Sequence, residues 1–264
     1  MNDGNDRLTR VLAPVVVGVL FLLAWEMVVR VNAIPVYILP GPFVVLETLW
    51  HDGPSLLGSL TVTLRITLAA LVPAAVIGAA LAVLLTQWRW LELSLFPYAV
   101  MLQVTPIVAI APLIIIWVDN TFLALIVCAW IVAFFPVLSN TTFGLNSTDR
   151  NLVDLFRLYG AGRWQTLRYL RLPSALPYFL SGLRISGGLA LIGAVVAEFV
   201  AGTGGSETGL AWRILEAGYR LQIPRMFAAL LLLSVTGVVI FLALTWLQHR
   251  LLRHWHESAL PRER

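Results

Sequence analysis

The chain has 264 residues, 59% of them hydrophobic and only 12% charged, where a soluble domain carries roughly 25% charged residues. Lipid is therefore the solvent for most of it, and the chain reads as an integral membrane protein. The formal charge of +4 rests on 18 basic residues, all arginine, most of them in short segments flanking apolar runs, a pattern of membrane topology and not of nucleic-acid binding.

Six apolar runs lie close to the roughly 20 residues that cross a bilayer: 11–31, 62–85, 95–118, 122–139, 180–200 and 226–248. The first has a longer apolar core than the roughly 7–15 residues of a signal peptide, and no small-x-small cleavage site follows, so it is expected to be an uncleaved anchor. Between the first two runs, Ile38-Leu-Pro40-Gly-Pro42 precedes a short amphipathic stretch, 43–50, expected to lie on the outer interface with Pro42 in its first turn. Run three is rich in helix breakers and polar groups: Pro97, Gln103, Thr105, Pro106 and Pro112. Helices of that kind face a bundle interior, where neighbours satisfy the freed backbone. Cys128, in run four, is expected to be a small packing residue, and one cysteine forms no disulfide within the chain. Asp119 and Asn120 are expected to be turn residues.

Run four leads into a polar, arginine-rich loop, residues 140–178. Leu152, Leu155, Phe156 and Tyr159 follow helical spacing, with Asp149 as N-cap. Gly160 permits a positive φ and a sharp turn into a second helix near Arg163, which passes Leu167 and Leu170 and is expected to stop at Pro173. The result is a helical hairpin lying across the membrane face. Beyond run five, residues 202–224 open with glycines and then read as a short helix near 210–217.

Arginine counting orients the chain. With the N-terminus cytoplasmic, Arg7, Arg10, Arg89, Arg150, Arg157, Arg163, Arg168, Arg171, Arg184, Arg250, Arg253, Arg262 and Arg264 lie inside, against Arg30, Arg65, Arg213, Arg220 and Arg225 outside. Both termini and the 140–178 loop are then cytoplasmic.

The residues of that loop resemble a known family. Asp154, Gly160, Leu170, Leu172 and Pro173 fit the cytoplasmic loop motif of ABC importer permeases, with Asp154 in place of the usual Glu and Leu155-Phe156 where two alanines are commoner. Thr105-Pro106, Ala109, Ala111-Pro112-Leu113 and the stretch from Gly188 to Gly202 with Ala197-Glu198-Phe199 are similar to the branch that carries nitrate, sulfonates, taurine and thiamine precursors. The resemblance implies an all-α type I permease of six transmembrane helices, a single domain over residues 1–264, with a coupling-helix hairpin between spans four and five. It implies no cofactor on this chain, ATP and magnesium on two cytoplasmic ATPase subunits, a second permease copy in a homodimer, and an external solute-binding protein at a bacterial inner membrane. Asp154, Phe156, Tyr159, Gly160, Ala161, Arg163, Leu172 and Pro173 become the ATPase-coupling candidates. A blander alternative is an amphipathic helix that only keeps the loop soluble.

Gln103, Thr105, Pro106 and Glu198 are pathway or gate candidates, and interhelical hydrogen bonding is the alternative for each. Glu26 is expected to face the bundle. His249, His254 and His256 do not share a helix face, so a basic tail at the lipid surface is preferred to a metal site. Lacking lysine, the chain has neither a P-loop nor a Schiff-base amine. Other classes are an intramembrane enzyme, for which paired acids or a His-Glu-x-x-His motif are missing, and a stand-alone secondary transporter, for which inverted repeats are missing.

Overall fold

The computed structural model describes residues 3–202 and 208–253, with side chains from Leu12 onward; His254 and His256 lie outside the described residues. Every regular element among them is helical: α1 (Asp3–Val31), α2 (Pro42–Gln87), α3 (Arg89–Val104), α4 (Ile107–Trp117), α5 (Thr121–Asn146), α6 (Arg150–Leu158), α7 (Arg163–Thr166) with a π turn (Leu167–Arg171), α8 (Leu172–Ala201), α9 (Leu210–Tyr219) and α10 (Ile223–Leu252). Five of these stretches are long and apolar enough to cross a membrane, with α7, the π turn and α8 counted as one.

The sixth crossing is broken. α3 and α4 meet at a bend of 98°. Pro106 has no N–H to continue the ladder, and it pushes Thr105 into extended backbone with ψ 122°. The two halves pack at different depths. Ala99 of α3 joins Leu85, Leu138, Leu145 and Leu167 at the end of the bundle that carries α6. Ala111 and Ile114 of α4 join Ile66, Cys128 and Ala197 toward the opposite end. The pair therefore carries the chain from one side to the other.

The centre of the bundle is α2, α5 and α8, and small residues let them approach. A Cβ on Gly193 would fall 2.8 Å from Ala129 Cα, and one on Gly182 would fall 2.6 Å from Pro136 O. Between helices in lipid, such close packing replaces the hydrophobic drive of water. Ser186 Oγ donates to Ala133 O across the same seam at 2.5 Å, a bond worth about 0.6 kcal/mol in such a setting. Cys128 is fully buried here, a packing residue as expected.

Two expectations are corrected. The stretch 43–50 is not a separate interfacial helix: α2 runs unbroken for 46 residues with Pro42 in its first turn. At 1.5 Å per residue that is about 69 Å, more than twice the hydrocarbon core. Val45 and Leu56 hold the projecting part by packing on Leu210, Ile214, Ala228 and Ala229 of α9 and α10, which sustains the helix through Pro54. Asn120 is more than a turn residue, since its side chain accepts from Leu123 N at 3.0 Å and caps α5.

α1 stands at the edge of the bundle. It touches α10 through the Trp25 and Phe227 rings, 6.0 Å apart, and turns Glu26 inward beside Gly41, paired with Arg30 at 2.5 Å.

Candidate functional site

The loop between α5 and α8 is built as the residues suggest at its tip and differently at its base. Asp149 accepts from Asn151 N at 2.8 Å and starts α6. The helix ends where Gly160 takes φ +71°, with Gly160 N donating to Arg157 O and Ala161 N to Phe156 O, both at 2.9 Å. These are the paired closing bonds of a left-handed helix stop. Open space surrounds the position a Gly160 Cβ would take, so the glycine serves backbone conformation alone.

Pro173 does not terminate the second arm. α7, the π turn and α8 form one continuous helical stretch from Arg163 to Ala201. Leu172 N donates to Leu167 O, five residues back. This wider turn leaves room for the proline ring within the continuous stretch. Leu172 and Pro173 thus sit at the base of span five, away from the tip that carries Asp154, Phe156, Tyr159, Gly160, Ala161 and Arg163.

α6 is amphipathic in the reverse sense for a self-contained protein. Its polar side, Arg150, Asp154 and Arg157, lines with Val153 two adjoining cavities of about 450 and 350 Å³. The larger lies between α6, the Thr86–Gln87 end of α2, Ala161, and Arg163 and Arg171 on the second arm. The apolar side turns away, with Leu152 and Leu155 exposed, Tyr159 84% exposed and Phe156 half-buried. None of the nine residues of α6 is buried. Asp154 pairs with Arg157 at 3.3 Å, in solvent.

Glu198 belongs to a different structure at the far end. It is 2% exposed, accepts from Thr63 Oγ1 at 2.8 Å and, through its other oxygen, from Ala211 N at 3.0 Å. Leu210 N donates to Thr63 Oγ1 at 2.8 Å. Carboxylate and hydroxyl together cap the first N–H groups of α9, where a negative charge is favoured. A Cβ on Gly209 would overlap this carboxylate, so the glycine is required there for space.

Sequence reasoning missed what continues this contact. Asp52, Ser55, Ser59 and Thr63, at helical spacing of three and four, form one polar stripe on α2. Arg213 Nε donates to Ser59 at 3.0 Å, Arg225 donates to Ser55 at 3.2 Å, and Arg225 pairs with Asp52 at 3.4 Å. The spacing is visible in the sequence, but its meaning needs α9 and α10 beside it. Glu216 of α9 ties Arg213 and Arg220, each at 2.9 Å. The Arg213 hydrogen bond is the main cause holding its carboxyl below the usual range.

Gln103, Thr105 and Pro106 are not joined to Glu198. They are exposed together at the α3–α4 bend, with the Thr105 hydroxyl donating to Met101 O at 2.7 Å.

A broken crossing, a stapled far end and an outward-facing apolar loop helix are the marks of this membrane protein. The family of binding-protein-dependent transport system inner membrane components matches residues 72–253, and the chain belongs to it. It is a permease subunit of an ABC importer, a transport component whose ATPase is a separate subunit. It is 35% identical over 241 residues to a probable ABC transporter permease of Haemophilus influenzae, covering 91% of this chain and 97% of that one. It is 36% identical to the riboflavin transport permease of Chloroflexus aurantiacus, covering 90% and 88%. It is 32% identical to the formylaminopyrimidine transport permease of Halalkalibacterium halodurans, covering 93% and 97%. The fold matches a crystallised amino acid ABC transporter with histidines at a TM-score of 0.63 and 17% identity, covering 77% of this chain and 97% of that one.

Proposed function

We propose that two copies of this chain, residues 1–264 of each forming one domain, enclose the pathway of an importer for a small solute of the sulfonate, taurine, nitrate or vitamin-precursor type. The riboflavin, formylaminopyrimidine and aliphatic sulfonate permeases among its relatives support that range. Both termini and the loop are cytoplasmic at the bacterial inner membrane, as the arginine bias favours. ATP and magnesium bind two ATPase subunits seated on the loops, and an external solute-binding protein delivers the cargo.

The reversed amphipathicity of α6 carries this reading. An apolar helix face held out beyond the bundle, on a helix with no buried residue, fits a groove on another protein as a helix-in-groove contact. Tyr159 supplies the aromatic anchor, and Gly160 sets the angle between α6 and span five. Gln103, Thr105 and Pro106 leave polar atoms exposed at a membrane bend, which suits a water-lined pathway between the two copies better than lipid. Glu198 acts as a positioning residue that fixes α9 to α2 and α8, without touching solute.

Reconstitution with the ATPase subunits tests the reading. ATP hydrolysis and solute uptake are expected to require both chains, and Leu155→Asp with Tyr159→Ala is expected to abolish assembly. Uptake by the permease without any ATPase would overturn it in favour of a secondary transporter.

A further inference from the structure

The polar side of α6 raises a separate question: what neutralises it. Arg150 and Arg157 project into the same paired cavities as Arg163 and Arg171. Against four guanidinium groups the lining supplies one carboxylate, Asp154, 3.3 Å from Arg157. Arg150, Arg163 and Arg171 have no carboxylate partner among the described residues. The lining hydroxyls are committed elsewhere, with Thr86 donating to Ala82 O and Val83 O, and Thr166 donating to Gly162 O. What remains is a concave site rich in unused N–H donors.

We propose that these cavities bind a phosphate-bearing anion, held by Arg157 of α6 together with Arg163 and Arg171 of the second arm. Guanidinium groups match phosphate oxygens in bidentate pairs, and several of them around one cavity favour a group with more than one anionic oxygen. The depth of the site points to the source. Trp88 and Trp90 follow the Gln87 wall directly and are exposed, as is Tyr169 on the second arm. Exposed aromatics of this kind mark the headgroup level of a bilayer, and basic pockets between helices at that level take anionic headgroups. An acidic phospholipid is thus the favoured donor of the phosphate, and a soluble phosphate shares its chemistry. The anion would join α6 to the base of α8, giving a helix that buries no side chain of its own a fixed seat from which to present Tyr159. On the proposed orientation this lipid lies in the cytoplasmic leaflet.

The test uses the full-length permease alone, so it is independent of the ATPase reading. Protein exchanged into phosphatidylcholine bilayers with or without phosphatidylglycerol or cardiolipin is released for native mass spectrometry. Its thermal unfolding is followed in detergent with each lipid, inorganic phosphate or pyrophosphate added. The wild type is expected to retain an acidic lipid over phosphatidylcholine and to gain thermal stability from it. Arg157→Gln with Arg171→Gln is expected to lower retention at least ~10-fold, a loss of about 1.4 kcal/mol, and Arg157→Lys with Arg171→Lys to keep most of it. Arg250→Gln, a cation at the end of α10, is the control. Circular dichroism checks the fold of each variant, and if the double Gln variant does not fold, the wild-type titrations decide. Protection by phosphate or pyrophosphate without lipid retention supports the site and assigns it to a soluble anion. Equal retention by the double Gln variant overturns the proposal. So does a wild type indifferent to all four anions, and if the same variant then fails only to bind the ATPase, the arginines serve a protein contact instead.

Discussion

Two short helices of nearly equal length flank span five, and they treat their apolar sides in opposite ways. α9 buries Leu210, Ala211, Ile214 and Ala217 against α2 and α10, while its N-terminus is closed by Glu198 and Thr63. α6 buries nothing and turns its leucines and Tyr159 outward. A helix whose contacts are complete within the chain is part of the fold. One whose apolar side is left over is, on the proposed reading, completed by another chain. The contrast separates what stabilises this subunit from what connects it.

Substitutions can break that contrast from either side. The largest effect is expected from Glu198→Ala, which strips the acceptor from Ala211 N and from the Thr63 hydroxyl in a buried site. Loss of such partners costs about 2–4 kcal/mol, and the apparent Tm of the purified permease should fall, with Glu198→Gln milder. Next is Gly160→Val. A β-branched residue at φ +71° carries strain on the order of 1–3 kcal/mol, and α6 has no buried contact to resist its release. The bundle should keep its Tm while solute moved per ATP hydrolysed drops at least ~10-fold, about 1.4 kcal/mol of coupling. Wild-type coupling in this variant would remove Gly160 from the mechanism.

Smaller still is the effect of Leu155→Asp with Tyr159→Ala on the isolated subunit. Stability should stay within about 0.5 kcal/mol of wild type, although the affinity for the ATPase, read by co-purification or biolayer interferometry, falls sharply. A large loss of Tm here would mean that α6 is an ordinary part of the fold after all. The smallest effect concerns Glu216. Its folded carboxyl titrates below the ordinary value of 4.5, chiefly through Arg213. The stability it lends α9 is therefore complete above pH 4.5 and is lost as pH falls through the lower, folded value. The protection factors of the α9 amides, with the intrinsic pH dependence of exchange divided out, should hold from neutral pH down to 4.5 and fall below it. Glu216→Gln should flatten the dependence, and high salt should shrink it in part, because the pair is only partly buried.

The crossings, the charged loop and the Gly160 turn were legible because each depends on residues close in sequence: an apolar run, an arginine bias, one glycine after a helical repeat. The failures share a different cause. Phe43 to Trp50 looks like a separate interfacial helix until Val45 and Leu56 are seen packing on α9 and α10, which keeps α2 intact. Pro173 reads as a stop because a local rule assumes four-residue bonding, whereas the Leu172 N to Leu167 O bond spans five. Glu198 stays open between a pathway role and an interhelical bond in the sequence, because Thr63, the hydroxyl that meets it, lies 135 residues away. Leu152, Leu155, Phe156 and Tyr159 share one stripe as their spacing predicts, but spacing does not say which way it looks: Phe156 is half-buried and the other three are exposed.

The unbroken stretch from Arg163 to Ala201, 39 residues, makes the subunit a lever. At 1.5 Å per residue it is about 58 Å long, so a tilt of roughly 5° at the loop would sweep the Glu198 end through about 5 Å, close to one helical turn. On the proposed seating of the ATPase, a slight rocking of the loop would become a stroke large enough to reshape the far end of the subunit.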